Sequence, residues 1–158
     1  MPANPSNPTN PSPVTSRVDP YRAYNYKLEV QGVTQGHFTE CSGLGIKIQP
    51  IKYREGGEHQ VVHVIPGPVE YADVTLRYGL TNSPGLWDWL SSTLGGAVDR
   101  REVSIVLLDN EGANEAMRWN LGNAWISEWH GAMLNAISRE VAIESMTLVF
   151  ESLERVLR

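Results

Sequence analysis

Cys41 is the single cysteine in this 158-residue chain. No intramolecular disulfide can form, so the fold needs no oxidising compartment, and synthesis in a reducing cytoplasm is expected. Basic charge is also scarce: 13 Lys and Arg stand against 18 Asp and Glu, a net charge of −5. That balance leaves no cationic footprint for a polyanion and argues against direct or sequence-specific nucleic-acid binding. No apolar run approaches the ~20 residues of a membrane-spanning helix. The opening MPANPSNPTNPSPVTS lacks both the cationic start and the apolar core of a secretory leader. If the finished protein acts outside the cell, it is expected to leave by lysis or inside a larger particle. What is present is 41% apolar, enough for one compact domain at this length.

Residues 1–20 hold most of the prolines among Asn, Ser and Thr, with little to bury, and read as a flexible arm ahead of a domain at 21–158. The arm is either a dispensable tail or a segment that docks on a neighbour after assembly. Tyr24, Tyr26, Leu28 and Val30 fall at every second position, the period of a strand with one apolar face. Gln31-Gly32 turns the chain, and a run from Phe38 to Pro50 follows. Ser42-Gly43-Leu44-Gly45 interrupts it with a bulge or sharp bend. Gly56-Gly57 can take the positive φ values of a tight hairpin, with Val61 to Ile65 as the returning strand and Pro66-Gly67-Pro68 as its end. The polar tip predicts that this hairpin projects from the core.

Val74, Leu76 and Tyr78 make another strand. Ser83-Pro84 then reads as a helix start, Ser capping free N–H groups and Pro at the first turn. Leu86, Trp87, Leu90 and Leu94 form its apolar stripe, and Gly95-Gly96 stops it. Val103 to Leu108 is a nearly continuous apolar strand, which predicts burial on both faces. Asp109 to Gly112 follows with turn chemistry. Further strands are predicted at Met117 to Leu121 and Ala124 to Trp129. The last segment, 141–157, is ambiguous: Ala142, Met146, Val149, Leu153 and Val156 fit a helix slightly better than alternate positions fit a strand.

Catalytic chemistry is sparse. His59 and His63 share a spacing that could hold a metal, but Gln60 follows the first histidine and no third ligand is evident. Gly43 and Gly45 lack the third glycine and helix start of a phosphate loop, so a strand bend accounts for them. There is no Gly-x-Ser-x-Gly elbow. Cys41 beside His37 could serve as a nucleophile, yet a small half-buried side chain in a strand is the preferred reading. Glu55 and Glu58 on a solvated tip are poor candidates for an acid and base pair. No catalytic, cofactor or metal residues are therefore assigned. The five tryptophans, Trp87, Trp89, Trp119, Trp125 and Trp129, suit core and subunit-interface filling better than a stacking platform for sugar or single-stranded nucleic acid. Trp87 and Trp89 are too close along a helix to share a face, so at least one points to a protein contact surface.

The order of landmarks resembles one family. Phe38 to Gly43, Tyr53-Arg54-Glu55-Gly56-Gly57, Pro66-Gly67, Leu76 to Gly79, Leu86-Trp87 and the 144–156 segment are similar to the inner tube proteins of contractile phage tails and extracellular contractile injection systems. The resemblance covers about residues 24 to 156. It implies a mainly β fold, a tail-tube β-barrel or sandwich of antiparallel strands with one short helix and a long protruding hairpin, and it makes 141–157 the closing strand. It implies no enzyme and no cofactor. The implied role is mechanical: hexameric rings stack into a tube that sheath contraction drives through a target envelope. Implied partners are further copies of the chain, the contractile sheath, baseplate or spike and tube-terminating proteins, with protein or nucleic-acid cargo in the lumen. By position the hairpin contact between rings is Lys52, Tyr53, Arg54, Glu55, Gly56, Gly57, Glu58 and His59, while Trp87, Asp88 and Trp89 would meet the sheath or a neighbour.

Other readings stay open: a baseplate-proximal tube paralogue that initiates assembly, a monomeric aromatic-rich β domain that binds a ligand, and, least supported, a small hydrolase built on Cys41 or a histidine. The sequence does not distinguish phage, bacteriocin and injection particle.

Overall fold

The computed structural model describes residues 20–31, 33–35, 38–57, 61–80 and 84–157. The chain runs β1 (Tyr26–Val30), β2 (Val33–Gln35), β3 (Phe38–Ser42), β4 (Ile46–Tyr53), β5 (His63–Tyr71), β6 (Val74–Gly79), α1 (Gly85–Leu94), β7 (Arg101–Leu108), β8 (Glu115–His130), β9 (Ile143–Val149) and β10 (Ser152–Leu157). Eight strands form one antiparallel sheet in the order β2-β1-β7-β8-β9-β6-β3, with β10 also paired to β8, while β4 and β5 form a separate two-stranded ribbon. Among the described residues the fold is therefore mainly β with one short helix, as predicted. The arm at 1–19 lies outside the described residues.

One long strand organises the sheet. The two strands predicted at Met117 to Leu121 and Ala124 to Trp129 are a single element, β8, because Asn123 takes φ 53 and bends the chain without ending its pairing. The first part of β8 pairs β7 and β10, and the part beyond Ala124 pairs β9. Strands from both halves contribute to one buried cluster: Leu28 and Val30 from β1, Val103 and Ile105 from β7, Val74 and Leu76 from β6, Met146 and Leu148 from β9. Alternation carries β1 and β6 as predicted, since every second residue faces this cluster. On β7, Val106 is buried on the opposite face as well.

Several boundaries move, each for a tertiary reason. Tyr24 sits exposed in the turn before β1, where its hydroxyl accepts from Arg22 Nη1 at 2.7 Å. Pro66-Gly67-Pro68 does not end the returning strand, which continues to Tyr71. A ribbon of two strands leaves each an outer edge that needs no donor, and a register shift between Ile48 and Pro50 absorbs the prolines, with Pro50 opposite Pro66. Pro84 occupies the N-cap of α1 without a side-chain cap, and Ser83 lies outside the described residues. The helix does stop at Gly95 and Gly96, whose N–H groups donate to Ser91 and Thr93 carbonyls. Segment 141–157 is two strands, β9 and β10, separated by Phe150 and Glu151. Phe150 is buried, and the Glu151 N–H donates to the Gly122 carbonyl at 3.0 Å.

Candidate functional site

Near the base of the ribbon the chain must leave β3 sharply. Gly43 has φ +90, and a Cβ there would lie 2.2 Å from the Asp73 carbonyl oxygen. Only glycine fits this crossing, where the chain into β4 passes the chain out of β5. Beyond it, β4 and β5 pair from Ile46 opposite Tyr71 to Tyr53 opposite His63. Tyr53 and His63 stack with ring centroids 5.3 Å apart.

The ribbon exposes an apolar surface that its own fold does not cover. Ile46, Ile48, Ile51, Val61, Val62, Val64, Ile65 and Val69 are all exposed, because β4 and β5 pack chiefly on each other. Isolated two-stranded ribbons are marginal in water, and contiguous exposed apolar surface marks a contact site. Lys52, Tyr53, Arg54, Glu55, Gly56 and Gly57 lie together, exposed, at the distal end of this ribbon. Gly57 takes φ +112 at the turn. Glu58 and His59 lie outside the described residues, so the imagined His59 and His63 metal pair cannot be assembled from the structure. Among the described residues no group of three His, Cys, Asp or Glu side chains could hold a metal.

The tryptophan pair on α1 divides cleanly. Trp87 is 50% exposed and meets Trp129 edge-on at 5.1 Å, and Asp88 beside it is exposed. Trp89 does not belong to a contact surface: it is 1% exposed. Its Nε1 donates to the Asp99 carbonyl at 2.6 Å, and the Arg101 guanidinium lies 5.2 Å from its ring. The buried stripe is thus Leu86, Trp89 and Leu90, whereas Trp87 and Leu94 face outward. Rotation of the helix by its packing on β8, not the apolar count, sets this choice.

Two features escaped the sequence patterning. Lys27 and Glu29 point away from the core and join Glu115 and Arg118 in a compact ion network. Arg118 Nη1 donates to Glu29 Oε2 at 2.8 Å and Nη2 to Glu115 Oε1 at 2.6 Å, and Lys27 Nζ is 2.9 Å from Glu29 Oε1. The hydrogen bond from Lys27, then that from Arg118, holds Glu29 below the usual carboxylate range. Arg118 does the same for Glu115. The partners are 89 residues apart in sequence for Glu29 and Arg118, which no local spacing reveals. The network ties β1 to β8. The other feature is the segment 131–142, where Met133, Leu134, Ile137 and Val141 are exposed. Cys41, in β3, is half-buried, and burial pushes its thiol up to about 11, which opposes the thiolate a nucleophile needs.

A sheet domain with a projecting ribbon of exposed apolar side chains has the architecture of a protein that contacts other chains. Residues 22–154 match the family described as T4-like virus tail tube protein gp19, and the chain belongs to that family. It is a structural tube subunit of a contractile injection machine. A chain from an extracellular contractile injection system, in the PVC sheath-tube complex in its extended state, is 26% identical with a TM-score of 0.79, over 88% of this chain and 93% of that one. A chain from the PVC sheath/tube terminator, also 26% identical, has a TM-score of 0.80 over 88% and 98%. The anti-feeding prophage tube-terminating cap is similar in fold at 22% identity, TM-score 0.83, covering 93% of this chain and all of that one. Among curated proteins none matches.

Proposed function

We propose that this chain forms six-membered rings that stack into a hollow tube, that Lys52 to His59 on the hairpin set the register between rings, and that Trp87 and Asp88 face a sheath or neighbouring subunit. The observation that carries this reading is the β4–β5 ribbon, apolar along its length and substantially packed only on itself. Head-to-tail contacts between different patches close into rings or propagate as filaments, according to their rotation. Sheet edges such as β2 and β10 offer unpaired backbone groups that a neighbouring copy can complete. Arg54 and Glu55 at the tip would fix register more than strength, exposed pairs contributing only ~0–1 kcal/mol each.

In the particle, the sheath surrounds the tube, baseplate and terminator proteins bound its ends, and the lumen takes protein or nucleic-acid cargo. Synthesis is cytoplasmic and release occurs with the assembled particle. Support for the sheath and terminator partners comes from the sheath-tube and terminator complexes to which the similar chains belong. The same two likenesses, equal in identity, favour a second reading, a paralogue confined to one end of the tube.

Negative-stain microscopy of concentrated protein, beside its elution volume on a sizing column, separates these. Long hollow tubes of six-fold rings establish the main tube. Single rings that never elongate identify the end paralogue, and a monomer at every concentration points to a ligand-binding domain or to a tube protein that polymerises only on a baseplate template. Reversing Arg54 or Glu55 should shorten tubes while leaving the monomer folded; tubes of normal length from both variants would refute the register role.

A further inference from the structure

One surface and one sequence motif have no part in the contacts above. The surface is a hollow of about 690 Å³ where Gly79 pairs Ile143, within the ~300–1,000 Å³ of ligand clefts. Met133, Leu134 and Val141 form its apolar wall at 90%, 82% and 76% exposure, and Arg77, Asn135 and Ser138 line it with polar groups. Local hydrogen bonds hold that wall in place. Asn135 Oδ1 accepts the Ile137 N–H at 3.0 Å, Ser138 Oγ accepts the Glu140 N–H at 3.1 Å, and the Leu80 N–H donates to the Ala142 carbonyl at 2.9 Å. Asn135 and Ser138 are used there as acceptors, so the Asn135 amide N–H groups and the Ser138 hydroxyl remain donors. Arg77 adds more, since only its Nη1 engages Glu40, at 3.4 Å.

The motif is the proline spacing ahead of the domain. Pro2, Pro5, Pro8 and Pro11 recur at every third position, and Asn4, Asn7 and Asn10 each precede one of them. A polyproline II helix has three residues per turn, so in that conformation the four prolines share one face. It makes no internal hydrogen bonds and proline supplies no N–H, so residues 2–13 offer more acceptors than donors. The hollow is the chemical complement, an apolar wall set beside donors. Charge agrees as well: residues 1–16 carry no charged side chain, and the charges lining the hollow, Arg77 and Glu140, cancel. Reach is sufficient. Tyr26 Oη donates to the Phe38 carbonyl at 3.2 Å, Phe38 pairs Tyr78, and Leu80 is bonded to Ala142 in the wall. That path from β1 to the hollow sums to about 30 Å at most. Residues 14–21 extended, with the turn over 22–25, cover about the same distance.

We infer that residues 2–13 seat as a polyproline II segment in the hollow of their own subunit. The prolines lie on Met133, Leu134 and Val141, and the backbone carbonyls between them accept from Asn135, Ser138 and Arg77. A proline at every third residue preforms this shape, which lowers the entropy lost on docking. The short connection to β1 holds the segment at an effective concentration on the order of millimolar, so weak contacts suffice. The seated segment covers apolar side chains that the sheet leaves exposed in a lone subunit. This contact lies within one chain and does not depend on the stacking of rings.

The test uses full-length protein. T9C/L134C in a C41S background, oxidised with glutathione disulfide in dilute solution, should form a within-chain disulfide, seen as a faster band on a non-reducing gel. A control keeps T9C and L134C but reorders residues 2–13 so that no two prolines stand three apart. It should form the bond at least ~10-fold more slowly, because only a seated arm holds residue 9 at the wall. Independently, the Met133 methyl resonance, assigned by its loss in M133L, should differ between the natural chain and the chain with the reordered arm. Equal rates from the two arms, or one Met133 shift in both chains, overturn the inference. A fast product that is a between-chain ladder overturns the within-chain seat in favour of the arm of a second copy. If T9C/L134C loses the far-UV spectrum of the wild type, the Met133 comparison decides, since it alters no residue of the domain. None of these results bears on the tube reading, which microscopy tests by itself.

Discussion

Replacing Gly43 by alanine tests the crossing at the base of the ribbon. At φ +90 a side chain imposes left-handed backbone strain of about 1–2 kcal/mol. The new Cβ would also stand 2.2 Å from the Asp73 carbonyl oxygen, a backbone atom that cannot rotate away. Forcing packed backbone apart costs about 1–3 kcal/mol more. The expected loss is therefore roughly 2–5 kcal/mol, a large part of an ordinary domain's stability. For a chain of this size that lowers the melting temperature by roughly 5–15 °C. Two controls separate the causes. Gly57 has φ +112 but open space around it, so Gly57→Ala should show the strain alone, about 1 kcal/mol. A Cβ at Gly45 would meet the Ala72 Cβ at 3.5 Å and the Gly43 carbonyl oxygen at 3.8 Å, both ordinary contacts, and φ there is not positive, so Gly45→Ala should stay within about 0.5 kcal/mol of the wild type. Urea and thermal unfolding, run below the assembly concentration so that mass action does not enter, would rank the three. A Gly43→Ala melt within about 2 °C of the wild type, or no lower than that of Gly57→Ala, would refute the steric argument.

Trp89→Ala should cost about 3–5 kcal/mol, as expected for emptying a core aromatic site, while Trp87→Ala should change monomer stability by less than about 1 kcal/mol; equal losses in chemical denaturation would contradict the assigned helix face. Glu29 and Glu115 have folded pKa values depressed below their ordinary 4.5, so the stability they supply is complete above that value and is lost as pH falls through the folded pKa values. Lys27 is raised above its ordinary 10.5, so its share is complete below that value and disappears as pH climbs past the folded one. Unfolding free energy should accordingly be flat near neutrality and fall below about pH 4.5, and Arg118→Leu should weaken that acid dependence; an unchanged acid limb in the variant would show that the network does not couple to folding.

Several parts of the fold were legible because they depend on neighbours in sequence. The alternation of Tyr26, Leu28 and Val30, the turn at Gly56 and Gly57, the stop at Gly95 and Gly96 and the apolar run at Val103 to Leu108 are local signals of period or backbone freedom. The projecting hairpin was legible too, since apolar strands with a polar tip announce themselves over a short window. The exposed apolar segment at 131–142 was not. Met133, Leu134, Ile137 and Val141 have the spacing of a helical stripe, yet no helix forms there, so the pattern points to a buried face where the structure leaves these side chains exposed. The 141–157 segment shows the limit from the other side: its spacing favours a helix, and the family resemblance, not the pattern, gave strand.

By itself, then, the sequence determined the β class, the hairpin with its glycine tip, the lone helix, the absence of disulfides and, through the order of its landmarks, the family. Only the tertiary structure decided that β8 is one strand and that β5 carries its prolines through to Tyr71. It also selected Trp89 over Trp87 for the core, and it brought Glu29 to Arg118 across the sheet. The physical reason is common to all four. Whether a strand ends, a tryptophan is buried or a carboxylate is paired depends on which distant backbone or side chain arrives to supply the hydrogen bond or the packing. Short-range period and turn chemistry carry no record of that arrival.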